Sequence, residues 1–162
     1  MDIILRLYAA VKAQIETNPN VKTVDWYNEQ YQNTEKENPR AYPAVYIEFI
    51  DPIEFTDASN KMQHTSAKIL LHCVTNYLTD SPEAALNFSQ WIAGTLNGKD
   101  LFTTIGETPA QLTTKLVRQN VSMPKRYKNL KVVKIQFICE AYDQSLMDQP
   151  EFAENIGFVV NA

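Results

Sequence analysis

The chain has 162 residues, of which 44% are apolar and 21% are charged, and its formal net charge is -4. This length and balance fit one globular domain with a two-layer core and give no sign of disorder. The acidic balance argues against a protein whose whole surface binds nucleic acid, because binding to phosphates needs clustered Lys and Arg.

The cysteines and the N-terminus indicate the compartment. Cys73 and Cys139 both fall in apolar, strand-like runs, so we expect them to be buried and reduced. The N-terminal stretch is a poor signal peptide, because Asp2 stands where basic residues belong and Arg6 interrupts the apolar run. No apolar stretch of the sequence approaches the roughly 18 residues that cross a bilayer. These features predict a soluble, intracellular protein with no membrane partner.

The first predicted element is a helix. Apolar residues from Ile3 to Ile15 recur at helical spacing, Asp2 can act as the N-cap, and the "NPN" at 18–20 ends the helix. Val24 and Trp26 then alternate with polar neighbours, which predicts a short strand.

A long polar loop follows at 28–43 and ends in prolines. The segment "AVYIEFI" at 44–50 alternates cleanly and predicts a second strand. A second polar patch lies at 56–61, and a long strand is predicted from 63 to 77.

The second predicted helix has clear boundaries, with Ser81 as N-cap, Pro82 at the first helical position and Gly98 at the end. After a loop, two further strands are predicted at about 112–122 and 130–142. The segment "MPKRYKN" between them is the connection of a hairpin.

These elements predict the fold class. Steps from strand to strand without a helix between them imply antiparallel pairing. We therefore predict an α+β fold, in which both helices pack on one face of a mixed, mostly antiparallel sheet. The domain covers 1–143, and 144–162 form an extended C-terminal arm. The opposite sheet face would be less covered, so its side chains would suit water or a partner. These side chains include Tyr46, Lys68, His72, Lys134, Gln136 and Glu140.

No motif for catalysis, metal binding or a cofactor is present. "GTLNGKD" at 94–100 has three residues between its glycines instead of the four of a phosphate loop, and Asp100 replaces the hydroxyl residue. His64 and His72 lie on one predicted strand, about 26 Å apart at strand rise, so they cannot share a metal. We predict that the protein is not an enzyme and uses no cofactor.

A basic cluster lies in the predicted hairpin at 124–131. It contains Lys125, Arg126, Tyr127 and Lys128. Such a hairpin could contact phosphates and stack on a base, or it could be a solvated turn whose charges protect a sheet edge.

The sequence also resembles a known family. The segment "DWYNEQYQN…NPRAYPAVYIEF" at 25–49 is similar to the tail terminator proteins of tailed bacteriophages, also called tail-completion or neck proteins. The order of elements over 1–143 resembles this family as well. The resemblance implies a virion protein without enzymatic activity, assembled in the host cytoplasm. Its copies would form a homo-oligomeric ring, a hexamer in the family, that caps the tail tube and joins it to the head connector. DNA would pass through the pore without sequence-specific binding.

The resemblance also implies where contacts would lie. The less covered sheet face would bind a neighbouring subunit, and the loop at 28–43 and the arm would dock on partners. Interface hot spots favour Trp and Tyr. The candidate anchors are Trp26, Tyr27, Tyr31, Tyr42, Tyr46, Phe152 and Phe158. Two alternatives stay open: a head-side joining protein of the neck, and a small module that binds protein or nucleic acid through the 124–131 hairpin.

Overall fold

The structure is a computed structural model that describes residues 2–32, 41–51, 53–59, 62–76, 79–105 and 107–143. In chain order the elements are α1 (Ile3–Glu16), β1 (Thr23–Trp26), β2 (Ala44–Phe49), β3 (Phe55–Ser59), β4 (Met62–Asn76), α2 (Pro82–Leu96), β5 (Phe102–Ile105), β6 (Thr108–Gln111), β7 (Val117–Val121), β8 (Lys125–Tyr127) and β9 (Leu130–Asp143). The predicted α+β class is confirmed. The predicted arm at 144–162 lies outside the described residues.

The two longest strands form the centre of the main sheet. β4 and β9 are antiparallel, with Gln63 opposite Asp143 and Asn76 opposite Leu130. The strand order is β1-β2-β4-β9-β7, while β3 pairs with the start of β4 and β8 with the start of β9. β5 and β6 form a separate two-stranded sheet.

One pairing differs from the expectation. We predicted antiparallel pairing wherever no helix separates two strands, but β1 and β2 are parallel. The long connection between Tyr27 and Pro43 explains the difference, because it is long enough to return the chain to the starting end of the sheet.

The helix ends agree with the sequence signals. An Asp2 carboxylate oxygen accepts a hydrogen bond from the Ile4 backbone N–H at 2.7 Å, and the Ser81 hydroxyl accepts one from Ala84 N–H at 3.0 Å. Such N-caps stabilise a helix by about 1 kcal/mol each. Gly98 follows α2 with a φ of +75°, a conformation that glycine adopts without steric cost. Neither described helix has the length and apolar run that crossing a bilayer requires.

The main core lies between the two helices and one face of the sheet. Its side chains include Ile3, Leu7, Val11 and Ile15 of α1, Ala85, Phe88, Ile92 and Leu96 of α2, and Val45, Ile47, Ile69, Leu71, Val133, Ile135 and Phe137 of the sheet. Cys73 and Cys139 are buried and free in the same core, as predicted, and burial raises the pKa of both thiols.

Three segments predicted as loops contain short strands. The polar patch at 56–61 overlaps β3, the loop after α2 forms the β5–β6 hairpin, and the basic connection includes β8. These strands lie at edges or in a small separate sheet and are largely exposed, so they lack the apolar alternation that reveals a half-buried strand. The strand predicted at 112–122 is shorter, because regular pairing covers only Val117–Val121.

Candidate subunit interface

The sheet face turned away from the helices is divided into two regions. One region is covered by residues 27–32, which follow β1 and which we call the aromatic cover. The other region is accessible, and we call it the open half. The open half consists of Ser66, Lys68, Leu70, Val117, Asn120, Lys134, Gln136, Ile138 and Glu140, each of which is exposed or half-buried.

The aromatic cover buries a second apolar cluster. Tyr31 packs over Tyr46, with ring centroids 6.5 Å apart, and the two residues are 1% and 0% exposed. Ala44, Val74, Leu130 and Val132 complete the buried part of this cluster, and Tyr27, Tyr42 and Tyr127 lie at its margin.

The prediction that Tyr46 and His72 lie on a less covered face is therefore wrong. The segment after β1 is polar overall, but its tyrosines at 27 and 31 fall four residues apart and pack on the same side. Local hydrogen bonds shape the turn, since the Gln32 backbone N–H donates to the Glu29 carbonyl at 2.9 Å. Two rings in a polar segment are enough to cover one end of the sheet.

A buried imidazole holds the aromatic cover to the sheet. Nδ1 of His72 lies 2.7 Å from the Tyr31 hydroxyl, and Nε2 lies 2.6 Å from a Glu48 carboxylate oxygen. The Tyr27 ring stacks on the imidazole with centroids 3.9 Å apart and planes 7° apart. We call Tyr31, His72 and Glu48 the clasp.

The clasp joins neutral His72 to two partners. Burial lowers the pKa of His72, although Glu48 acts in the opposite direction by favouring the charged form. An ionised carboxylate only accepts hydrogen bonds, so Nε2–H donates to Glu48 and Nδ1 accepts from the Tyr31 hydroxyl. Burial also raises the pKa of Tyr31. With His72 only 1% exposed, the arrangement serves to fix the aromatic cover.

The predicted aromatic anchors all have partners within the chain where the structure describes them. Trp26 stacks on Tyr8 of α1, with centroids 4.1 Å apart and planes 10° apart, and also contacts Phe49. Tyr31 and Tyr46 are too buried to offer their rings to another subunit in this conformation. Phe152 and Phe158 lie outside the described residues. Contact of these aromatic residues with another subunit stays a prediction.

The predicted basic residues lie in the β8–β9 hairpin, with Lys128 exposed in the turn between the two strands. Lys125 and Arg126 lie on β8 and are exposed, and Nε of Arg126 donates to the Lys128 carbonyl at 2.8 Å. The Tyr127 ring meets Tyr31 edge-on at 4.9 Å. Tyr127 therefore extends the second apolar cluster, and it is not a free platform for stacking on a base.

The open half has the composition of a protein contact. Ile138 of β9 lies opposite Val117 of β7, so these two side chains form an apolar centre, and Lys68 of β4 lies opposite Ile138 on the other side. Leu70 lies opposite Gln136, whose side-chain oxygen accepts from the Asn120 amide at 3.2 Å. An apolar centre with a polar rim is typical of non-obligate interfaces.

No group of three or more His, Cys, Asp or Glu side chains within the described ranges could hold a metal ion. The clasp contributes only one imidazole and one carboxylate, which is fewer ligands than a zinc site needs.

Comparison with known proteins gives a likeness of fold to solved structures. No protein-family model and no curated protein matches the chain. A chain from the virion of a native gene transfer agent (GTA) particle has a similar fold, with a TM-score of 0.59 and 14% identity over 87% of this chain and 98% of that chain. At this identity the likeness shows a shared fold, and function needs a separate argument.

Proposed function

We propose that the chain is a structural protein of a virion and, more narrowly, a tail terminator. In this proposal its copies form a ring that caps the tail tube, ends tube growth and joins the tail to the head connector. The observation that carries the proposal is the fold shared with 98% of a chain from a GTA virion. The resemblance of residues 25–49 to phage tail terminators supports it from a different direction.

The open half supports assembly into a ring. In a ring, one surface of each copy binds a different surface of the next copy. The rotation from copy to copy must also bring the last copy back into contact with the first. Ile138 and Val117 form an apolar centre that would lose water on such contact, and Lys68, Lys134 and Glu140 would fix the register at its rim.

The partners follow from this position. A ring at the end of a tail would contact further copies of itself, the tail tube protein and the head connector proteins. The net charge of -4 would suit a pore through which DNA slides, since like charge weakens phosphate binding. The ring would most simply contain six copies, as the resemblance implies.

Disruption of the gene in the virus that encodes the chain tests this function. We expect overlong tail tubes that lack heads, because nothing would end tube growth. Tails of normal length that fail to join heads would instead favour a head-side joining protein. Complete, infectious particles would contradict both roles. Expression of the intact chain from a plasmid is the control and should restore normal tails.

A further inference from the structure

An acidic segment, residues 51–57, lies at an edge of the main sheet and includes the start of β3. It contains Asp51, Glu54 and Asp57, which are all exposed, and no Lys or Arg. Phe55 lies among them and is 42% exposed. None of the three carboxylates makes an ion pair with a residue that the structure describes. The acidic segment therefore offers one apolar ring together with negative charges that a basic surface would attract.

The acidic segment and the open half lie on opposite faces of the sheet. Phe55 lies opposite Thr65 of β4, and Asp57 lies two positions along on the same face. Thr65 is 1% exposed and shares its side of β4 with Ile69, which belongs to the main core beneath the helices. Because the open half lies on the other face, these two surfaces of one copy cannot meet. Only a second copy can bring them together.

The face that carries the open half has an excess of positive charge. Lys68 and Lys134 belong to the open half, and Lys125 lies opposite a β9 residue of the second apolar cluster, on the same face. None of these ammonium groups makes an ion pair within the described ranges. Glu140 is the one carboxylate of the open half, and Glu48 at its border is bonded within the clasp. Two open halves in contact would oppose like charges, so an acidic surface is the better match.

The two surfaces also match in length. The acidic segment begins beside Lys68, whose carbonyl accepts from the Ile50 N–H at 3.0 Å. It reaches Asp57, which lies opposite Gln63, five positions along β4 or about 17 Å at strand rise. Lys134 lies opposite a β4 residue four positions beyond Lys68, a separation of about 14 Å. Carboxylates at the two ends of the segment can therefore approach both lysines at once.

We propose that the acidic segment of one copy binds the open half of the next copy. Phe55 covers the apolar centre formed by Val117 and Ile138, and the carboxylates of the segment approach the lysines around that centre. This contact rests on the proposed function, because it supplies the second surface that the proposed ring requires.

Charge reversal in the full-length protein tests the contact. One variant carries Lys68→Glu and Lys125→Glu, and the other carries Glu54→Lys and Asp57→Lys. Each variant alone brings like charges together, so we expect light scattering to show self-association weakened at least about tenfold. In an equimolar mixture, each reversed surface meets the other reversed surface and each intact surface meets the other intact one. The mixture should therefore form rings in which the two variants alternate.

The matched control carries Lys22→Glu and Lys99→Glu, which lie outside both surfaces, and it should associate as the wild type does. Two results would overturn the inference. One is normal self-association of either reversed variant, and the other is a mixture that associates no better than its components.

A measurement on the wild-type chain decides the question even if a reversed variant fails to fold. A carbodiimide joins a carboxylate to an amine in direct contact, and mass spectrometry identifies the joined peptides. In a mixture of isotope-labelled and unlabelled copies, we expect mixed-isotope links between residues 51–57 and Lys68, Lys125 or Lys134. The absence of such links, or a wild-type chain that stays monomeric at every concentration, would contradict the contact.

Failure of this contact can be distinguished from failure of the proposed function. Wild-type rings without these links would remove the acidic segment from the interface and leave the proposed ring standing. Complete, infectious particles after disruption of the gene would instead contradict the proposed function itself.

Discussion

The Tyr31 hydroxyl lies 2.7 Å from Nδ1 of His72, and this buried contact joins residues 41 positions apart in the chain. On its other side, the same imidazole lies 2.6 Å from Glu48. The contact ties the aromatic cover to the central strand β4. It thereby divides the second sheet face into a closed end and the open half that is available for assembly.

Replacing Tyr31 by Phe should destabilise the fold by about 1–3 kcal/mol, because the ring stays but buried Nδ1 of His72 loses its hydrogen-bond donor. Chemical denaturation followed by circular dichroism measures the free energy of unfolding. The matched control is Tyr127→Phe, since the Tyr127 hydroxyl makes no hydrogen bond with the described residues. We expect it to change stability by less than about 0.5 kcal/mol. Equal losses in both variants would show that the clasp contributes nothing specific.

Acidification should weaken the fold through His72. Burial lowers the pKa of His72 below its usual value of about 6.5. As pH falls through 6.5, the unfolded chain therefore binds a proton before the folded chain does, and the free energy of unfolding decreases. The contribution is fully present above pH 6.5 and falls by at most about 1.4 kcal/mol per pH unit below it.

Urea titrations between pH 7.5 and 5.5 measure this dependence. His72→Gln should flatten the slope, whereas His64→Gln, which lies outside the clasp, should retain it. A wild-type stability that rises on acidification would contradict the assignment of neutral His72.

Replacing Val117 by Lys should break the ring while leaving the subunit folded. Val117 is 54% exposed at the apolar centre of the open half, so the folding cost should be below about 1 kcal/mol, but contact would bury an unpaired charge. The matched control is Leu5→Lys on α1, which is 50% exposed and far from the open half in the two-layer fold. Negative-stain images should show rings for the control only. Rings in both variants would exclude the open half from the interface.

Residues 33–38 can be replaced by a Gly/Ser segment of equal length to test the docking role predicted for the long loop. The replacement starts after Gln32, because the Gln32 side chain donates to the Tyr27 hydroxyl at 3.0 Å within the aromatic cover. We expect a change in unfolding free energy of about 1 kcal/mol or less and a clear loss of assembly onto tail tubes. Normal assembly would remove this loop from the docking surface.

Much of the fold could be predicted because its signals are local. Asp2 and Ser81 mark helix starts, Gly98 marks a helix end, and alternation along 44–49 and 130–142 marks buried strands. The exposed strands β3, β5, β6 and β8 were missed, because an edge strand with both faces wet carries no alternation.

The clasp could not be predicted from its residue types. His72 has apolar neighbours in its strand, and this pattern does not tell which face of the sheet the imidazole lies on. Nothing in the sequence pairs His72 with Tyr31 across 41 residues. The one available signal was the spacing of Tyr27 and Tyr31, since two rings four residues apart in a polar segment suggest burial of that segment. The open half was predicted in part, because Lys68, Gln136 and Glu140 do lie on an accessible face.

The location of the chain in the virion tests the central claim most directly. Gold-labelled antibody against the chain, imaged by electron microscopy on intact particles and isolated tails, reports where its copies lie. We predict label at one position only, the head-proximal end of the tail tube. Label along the whole tube, label confined to the capsid, or purified particles without the chain would contradict the proposed tail terminator.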